Sequence, residues 1–218
     1  MDILYEDNHL IVVNKRAGEL VQADKDTRES LEEDIKRYIK SRDNKAGAVF
    51  LGVPHRLDRP VSGVVIFCKT SKALVRVNAM FQKGEMHKKY WAIVKQRPSK
   101  DEDVLEHYLV RNEKQNKTYA HSKPVANAKL ARLRYRLMGN SERYFLLEVE
   151  LLTGRHHQIR CQLSKIGSPI KGDLKYGFPR SNPNGGISLH ARSVEFMHPV
   201  NLQPIAITAP LPEGDIFR

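Results

Sequence analysis

An alternation of apolar and basic residues between Lys129 and Leu137 constrains the fold of this chain more than any other feature. A period of two residues is typical of a strand with one buried face and one solvated face. The segment from Tyr144 to Leu152 follows closely and is a candidate partner strand. The apolar side holds Ala131, Leu133, Tyr135 and Leu137, and the other side holds Arg132, Arg134 and Arg136.

Further strands and three helices are predicted from hydrophobic spacing and from capping residues. The helices are expected from Ser30 to about Arg42, from Thr70 or Ser71 to Gly84, and from about Ile159 to Gly167. Strands are expected on both sides of Asp7-Asn8, at 64–67 and at 86–95. Strands thus outnumber helices and come in adjacent pairs, which favours an α+β fold with a mixed, largely antiparallel sheet and flanking helices.

The charge balance limits the classes of partner. The chain has 37 Lys and Arg against 25 Asp and Glu, a formal net charge of +12, which favours a polyanion. RNA, DNA and an anionic membrane surface remain open at this point. No apolar run reaches the length of a membrane span, and the first residues do not resemble a signal peptide, so a cytoplasmic protein is expected. Cys68 and Cys161 are expected to be buried, reduced thiols.

One irregular segment, from Gly52 to Pro60, leads directly into the apolar run at 64–67. Its prolines, Pro54 and Pro60, argue against a continuous helix or a central strand. Asp58 therefore lies on a loop at the mouth of a buried strand. A loop aspartate beside an arginine is more often a turn residue or an ion-pair partner than a catalyst. A protein kinase catalytic loop looks similar, but the other kinase motifs do not follow in order.

Several motifs in sequence order give this segment a family context. They are His55-Arg56-Leu57-Asp58-Arg59-Pro60-Val61-Ser62-Gly63, similar to HRLDxxTSG; Lys88 to Val94; Thr153 to Arg160; Gly167 to Asp173 with Tyr176-Gly177; and Leu189-His190-Ala191. Together with Ile11 to Lys15 they resemble the RluA-type family of RNA pseudouridine synthases along nearly the whole chain. Three positions depart from the family pattern: Val61 replaces the usual Thr, Arg16 a common Pro, and Gln162 a frequent His.

The resemblance implies a pseudouridine synthase fold with a central catalytic cleft, formed by a single catalytic domain over residues 1–218. No S4-like domain is expected in front of it. The implied activity is isomerisation of uridine in structured rRNA or tRNA by a monomer that needs no cofactor and no metal and binds no membrane. A non-catalytic RNA-binding protein with the same fold is the alternative, and a nucleoside hydrolase is a weaker third hypothesis.

Asp58 is the candidate catalytic carboxylate, either attacking the sugar carbon or removing a proton first. A carboxylate in a dry pocket needs a cation to stay ionised, and Arg160 can supply that charge. Helical geometry predicts that Arg160 borders the buried face of its helix. From that geometry alone a solvated arginine is the simpler interpretation. The resemblance implies that Arg160 pairs with Asp58.

Tyr90 and Arg56 complete the candidate site. Tyr90 shares the strand alternation of Ala92 and Val94, which is equally consistent with a core tyrosine. The resemblance implies that Tyr90 packs against the uracil and takes the ring proton in the last step. Arg56 is either a structural partner of Asp58 or, by resemblance, a residue that enters the RNA stack and holds the target nucleotide out.

Other basic residues are candidates for contacts with the RNA backbone, with a solvated basic face as the simpler alternative. They are Arg132, Arg134, Arg136, Lys165, Lys171 and Lys175. His156 and His157 are predicted to lie on the third helix and to diverge, and no metal site is predicted.

Overall fold

The strands of this protein outnumber its helices. In the computed structural model, which describes residues 1–24 and 27–212, ten strands form a mixed, largely antiparallel sheet. The same residues contain three α-helices and one short 3-10 helix. The α+β class predicted from the sequence is confirmed. No described helix has the length and apolar composition that a membrane crossing requires.

The chain divides into two compact units. Unit 1 contains residues 1–86 and 192–210, and unit 2 contains 87–191 together with 211 and 212. Strand β9 begins in unit 2 and ends in unit 1. Unit 1 otherwise holds β1 (Ile3–Glu6), β2 (Leu10–Lys15), α1 (Leu31–Arg42), β3 (Ser62–Cys68), α2 (Ser71–Lys83) and β10 (Pro204–Thr208), and β9 spans Leu189–Met197.

Unit 1 follows the local signals of its sequence. The carboxylate of Asp7 accepts hydrogen bonds of 2.7 Å from the backbone N–H groups of His9 and Leu10, closing the predicted hairpin of β1 and β2. Helix α1 begins after Ser30, whose hydroxyl accepts a bond from the N–H of Glu33. Helix α2 ends at Gly84, which adopts the left-handed conformation that glycine tolerates best. Both predicted helices are confirmed.

Unit 2 contains five consecutive neighbours in the sheet, in the order β4-β8-β7-β5-β6. They are β4 (His87–Val94), β8 (Phe145–Leu151), β7 (Lys129–Asn140), β5 (Glu102–Asn112) and β6 (Lys117–His121). The predicted alternation in β7 is confirmed, because Ala131, Leu133 and Tyr135 are buried and the three arginines are exposed. Helix α3 (Gln158–Lys165) covers the apolar face of these strands, where Cys161 packs with Leu109 and Ala131.

The hairpin of β5 and β6 was not predicted from the sequence. Leu105 and Leu109 are buried, but the position between them is His107, a polar residue that interrupts the apolar half of the alternation. Burial and the nearby charge of Lys165 lower the pKa of His107, so that it is accommodated as a neutral ring. Both cysteines are free and buried, as expected.

Candidate active site

Asp58 lies in unit 1, on an irregular segment that precedes β3. Residues 53–58 have no regular secondary structure, and a bridge between Gly52 and Cys68 fixes where the segment begins. His55 Nε2 accepts a hydrogen bond of 2.9 Å from the backbone N–H of Ile66 on β3. The loop predicted at this place is confirmed, and Asp58 is partly buried on it.

Lys15 ties the far end of this segment to β2. Its side chain is fully buried, and Nζ donates hydrogen bonds to the backbone carbonyl oxygens of Arg16 at 3.0 Å, Arg59 at 3.0 Å and Val61 at 2.6 Å. One ammonium group therefore holds the chain immediately after Asp58. An ammonium group has three donors, and all three are satisfied by carbonyl groups.

Among the residues that the structure describes, no carboxylate forms an ion pair with Lys15. Burial lowers its pKa from 10.5 to about 8, although the carboxylates of Glu19 and Asp58 act to raise it. Lys15 is therefore protonated near neutral pH, where it is a positive charge close enough to interact with Asp58. A nearby cation favours the ionised form of a carboxylate.

Two departures from the family pattern fall on the backbone contacts of Lys15. Val61 and Arg16 each contribute a carbonyl oxygen, and a carbonyl group is present whatever the side chain is. The third departure, Gln162, is buried in unit 2 with its Nε2 atom 3.0 Å from His107 Nδ1. It fills the interior between α3 and β5.

Tyr90 lies on β4 in unit 2. Its side chain is buried, with 6% of its surface exposed, and its strand position pairs with Val149 on β8. The interior orientation predicted for Tyr90 is confirmed. Its role towards uracil stays a prediction.

Arg160 lies on α3 and forms an ion pair with Asp173. Nε donates a 2.7 Å hydrogen bond to Asp173 Oδ2, and Nη2 donates a 2.9 Å hydrogen bond to Oδ1. The ring of Tyr176 lies 5.0 Å from Cζ of Arg160. Arg160 is 5% exposed, and α3 is buried from Gln158 to Leu163. The structure agrees with the predicted inward position of Arg160 and places it deeper than the border of the buried face, because the short helix is buried along all these residues. The simpler interpretation as a solvated arginine was wrong.

A neutral hydrogen-bonded network supports the ring of Tyr176. Its hydroxyl accepts a 2.8 Å bond from the N–H of Thr118 and lies 2.9 Å from His157 Nδ1. Burial, Arg160 and His156 lower the pKa of His157 to about 2, while burial raises the pKa of Tyr176 to about 12. Because the imidazole stays neutral, the phenol proton can be donated to Nδ1. The network therefore fixes the ring of Tyr176 against Arg160.

The two adjacent histidines differ from their prediction. His156 precedes α3, and His157 is the residue that caps it, with a positive φ of 52°. Their rings do not diverge; they stack at 3.7 Å with an angle of 20° between the planes. The left-handed backbone at His157 causes the difference. Among residues 1–24 and 27–212, no group of three or more His, Cys, Asp and Glu side chains is arranged to hold a metal ion.

The four predicted site residues are divided between the two units. Arg56 and Asp58 belong to unit 1, where Arg56 is exposed, and Tyr90 and Arg160 belong to unit 2. The pairing of Asp58 with Arg160 joins different units and stays a prediction. So does the entry of Arg56 into the RNA stack.

The sequence did not predict that three residues would position Asp58 and Arg160. Lys15 follows the buried apolar run at 10–13 after one residue, Asn14, and a charge at the end of such a strand was the available signal. Asp173 and Tyr176 stood in the family motifs without a role. Their signal was weaker, because only the 3-10 helix at Leu174–Tyr176 brings them both to Arg160.

Comparisons with known proteins agree with the motifs. A family described as RNA pseudouridylate synthase matches residues 9–165, a range that includes Asp58, Tyr90 and Arg160. The structure of human RNA pseudouridylate synthase domain containing 4 has a TM-score of 0.80 and 24% identity, and the match covers 97% of this chain and 89% of that one. This similarity confirms the predicted pseudouridine synthase fold.

Two bacterial relatives extend the match along the chain. Ribosomal large subunit pseudouridine synthase D of Xylella fastidiosa is 32% identical, over 98% of this chain and 66% of its own length. The chain thus spans just under two thirds of that relative. The tRNA pseudouridine synthase C of Vibrio cholerae is 34% identical, over 98% of this chain and 92% of its own length. The chain therefore belongs to the RluA-type family of RNA pseudouridine synthases.

Proposed function

We propose that this protein isomerises uridine to pseudouridine in structured ribosomal or transfer RNA, with Asp58 as the catalytic carboxylate. The observation that carries the proposal is the position of Asp58 on a segment fixed on one side by His55 and on the other by the buried Lys15. The names of the relatives, one acting on the large ribosomal subunit and one on tRNA, support these two RNA classes.

The reaction needs an ionised carboxylate in a defined place. The bond from the sugar to the ring nitrogen breaks, the uracil turns while it stays bound, and a carbon of the ring joins the sugar. Asp58 can attack the sugar carbon or take the first proton, and both routes require its charged form. Lys15 holds the backbone directly after Asp58 through its hydrogen bonds to the carbonyl oxygens of Arg59 and Val61.

Arg160 is proposed as the second cation of the site, paired with Asp58. Its bidentate contact with Asp173 and the ring of Tyr176 fix the plane of the guanidinium, so its direction is set before RNA binds. Pre-oriented charges stabilise a reacting group without reorganisation during the reaction. Tyr90 is proposed to pack against the uracil, and Arg56, which is exposed, to hold the target nucleotide out of the stack.

The test is the Asp58→Asn variant, which keeps the shape of the side chain and removes its charge. The substrate is rRNA and tRNA from cells that lack this protein, labelled with tritium at C5 of uracil. Because the new bond forms at C5, each turnover releases that tritium. We expect release by the wild type and none by Asp58→Asn, with RNA binding retained.

The matched control is Asp34→Asn, the same change at an exposed carboxylate of α1, which should leave the rate at the wild-type value. Turnover by Asp58→Asn near the wild-type rate would exclude Asp58 as the catalyst. Wild-type protein that binds both RNAs without releasing tritium would be a non-catalytic binding protein. Release of free uracil would indicate a hydrolase.

A further inference from the structure

Three basic residues lie around the turn end of the β5–β6 hairpin in unit 2. Lys117 Nζ lies 5.4 Å from the ring centre of Tyr176, and Lys175 Nζ donates a 3.0 Å hydrogen bond to the carbonyl oxygen of Asn116 in the hairpin turn. Arg111 pairs in register with Thr118, directly after Lys117. We call Arg111, Lys117 and Lys175 the hairpin cluster. Arg111 and Lys175 are exposed, and Lys117 is half-buried.

Within residues 1–24 and 27–212, the hairpin cluster has no carboxylate partner. Among the residues that the structure describes, none of its three side chains forms an ion pair, and Glu113 in the adjoining turn pairs with none of them. Burial is the main cause of the low pKa of His157, and the nearby charges of Lys175 and Arg111 act in the same direction. Gathering like charges opposes folding unless a partner offsets them.

The arginines of β7 show the opposite arrangement. Their cross-strand neighbours are acidic: Glu106 is opposite Arg132, Glu102 and Glu148 are opposite Arg136, and Glu150 is opposite Arg134. Arg132 Nε lies 3.1 Å from Glu106, and Arg136 Nη2 lies 3.4 Å from Glu148. We call Arg132, Arg134 and Arg136 the arginine ladder. Its charge is offset within the sheet.

The side chains beside the hairpin cluster suit a nucleic acid as the partner. Tyr119 is 40% exposed, and its ring centre lies 5.5 Å from Lys117 Nζ. An exposed aromatic ring next to a cation suits an unpaired base and its phosphate, because every base has a face that can stack. A tyrosine ring also suits a membrane interface, so the choice of RNA over an anionic membrane rests on the match to the RNA pseudouridylate synthase family.

We propose that the hairpin cluster is the surface of unit 2 that contacts the RNA backbone, and that the arginine ladder is a structural element of the sheet. This inference rests on the proposed function, which supplies RNA as the partner, and it adds the surface of unit 2 that binds the RNA. It keeps Lys175, one of the RNA contacts expected from the sequence, and departs from that expectation for the arginines of the ladder.

The experiment compares two variants that each remove two positive charges. Arg111→Ala with Lys175→Ala changes the cluster, and Arg132→Ala with Arg136→Ala is the matched control on the ladder. Binding of a fluorescein-labelled RNA stem-loop is measured over a range of KCl concentrations. We expect the cluster variant to flatten the slope of log affinity against log salt by about two, and the ladder variant by less than about one.

A charge-conserving variant separates charge from folding. Arg111→Lys with Lys175→Arg should keep the wild-type slope, whereas thermal unfolding of all variants reports on the fold. Equal slopes for the cluster and ladder variants would overturn the inference. So would a cluster-dependent binding to phosphatidylserine vesicles that exceeds binding to RNA.

The binding measurement does not depend on turnover, so the two proposals can fail separately. Wild-type protein that releases no tritium while the cluster variant loses its salt slope would remove the proposed function and keep this surface. If the wild-type protein releases tritium and the cluster variant keeps the wild-type salt slope, the proposed function stands and the proposed surface is excluded.

Discussion

The two units hold their candidate reactive groups by different electrostatic means. In unit 1 the segment of Asp58 is held by Lys15, a buried cation that donates only to backbone carbonyl groups. In unit 2, Arg160 is held by a carboxylate in a bidentate ion pair. The donors of the first cation are satisfied by carbonyl dipoles, and those of the second by an ionised carboxylate.

The consequence is visible in the titration of Lys15. Carbonyl dipoles satisfy its donors but do not offset its desolvation, so burial lowers its pKa to about 8. A lysine can respond in this way, whereas an arginine keeps its proton and needs a counter-ion when buried. The comparison predicts that breaking the ion pair in unit 2 has a larger effect than removing the lone cation in unit 1.

The largest expected effect is that of Asp173→Asn. It removes the carboxylate that accepts hydrogen bonds from Nε and Nη2 of the buried Arg160, which should lower the free energy of unfolding by about 3–5 kcal/mol. Asp173 is 1% exposed, so solvent offers little screening. Urea unfolding measures the loss. The rate of tritium release at saturating RNA should fall as well, since Arg160 loses its orientation.

The control for Asp173→Asn removes both charges. Arg160→Met with Asp173→Leu should recover most of the stability, because apolar residues of similar volume can replace a buried pair. It should not recover activity. If Asp173→Asn unfolded at the wild-type urea concentration, the ion pair would contribute little to stability and the predicted difference between the two units would be wrong.

The next effect depends on pH and concerns Lys15. Its folded pKa of about 8 lies below the ordinary value of 10.5, so between these values the unfolded chain binds more protons than the folded chain. The free energy of unfolding should therefore rise with pH across this window, by up to about 3 kcal/mol. In Lys15→Met that rise is absent.

The measurement is the difference between wild type and Lys15→Met in urea unfolding, first below pH 8 and then near pH 10. Subtracting the variant removes the contributions of other groups that titrate in the same window. A difference that did not change with pH would mean that Lys15 keeps an ordinary pKa, and the contrast between the two units would disappear.

The sequence predicted the elements whose causes are local. The caps at Ser30 and Thr70 and the alternation in β7 depend on residues close along the chain, and the structure has them where expected. The loop position of Asp58 followed from its neighbouring prolines in the same way. Local signals of this kind do not depend on which distant segments meet.

The missed features depend on contacts between distant residues. Lys15 donates a hydrogen bond to the carbonyl oxygen of Val61, and Gln162 contacts the ring of His107. The spacing of residues in the sequence reveals neither contact. The arginine ladder is the clearest case. Its outward direction was predictable, but the acidic neighbours that offset it follow from strand register, and the β5–β6 hairpin was not predicted at all.

The smallest of these effects concerns the neutral network behind Arg160. Tyr176→Phe keeps the ring that faces the guanidinium but removes the hydroxyl, leaving the N–H of Thr118 and Nδ1 of His157 without this partner. Unmade hydrogen bonds of buried groups destabilise by about 1–3 kcal/mol, less than an unpaired charge. Because the pKa of His157 is about 2, this loss should be the same at pH 5 and pH 8. Urea unfolding of the variant at both pH values tests this, and a loss that grew at pH 5 would mean that His157 gains a proton there and that the network is not neutral.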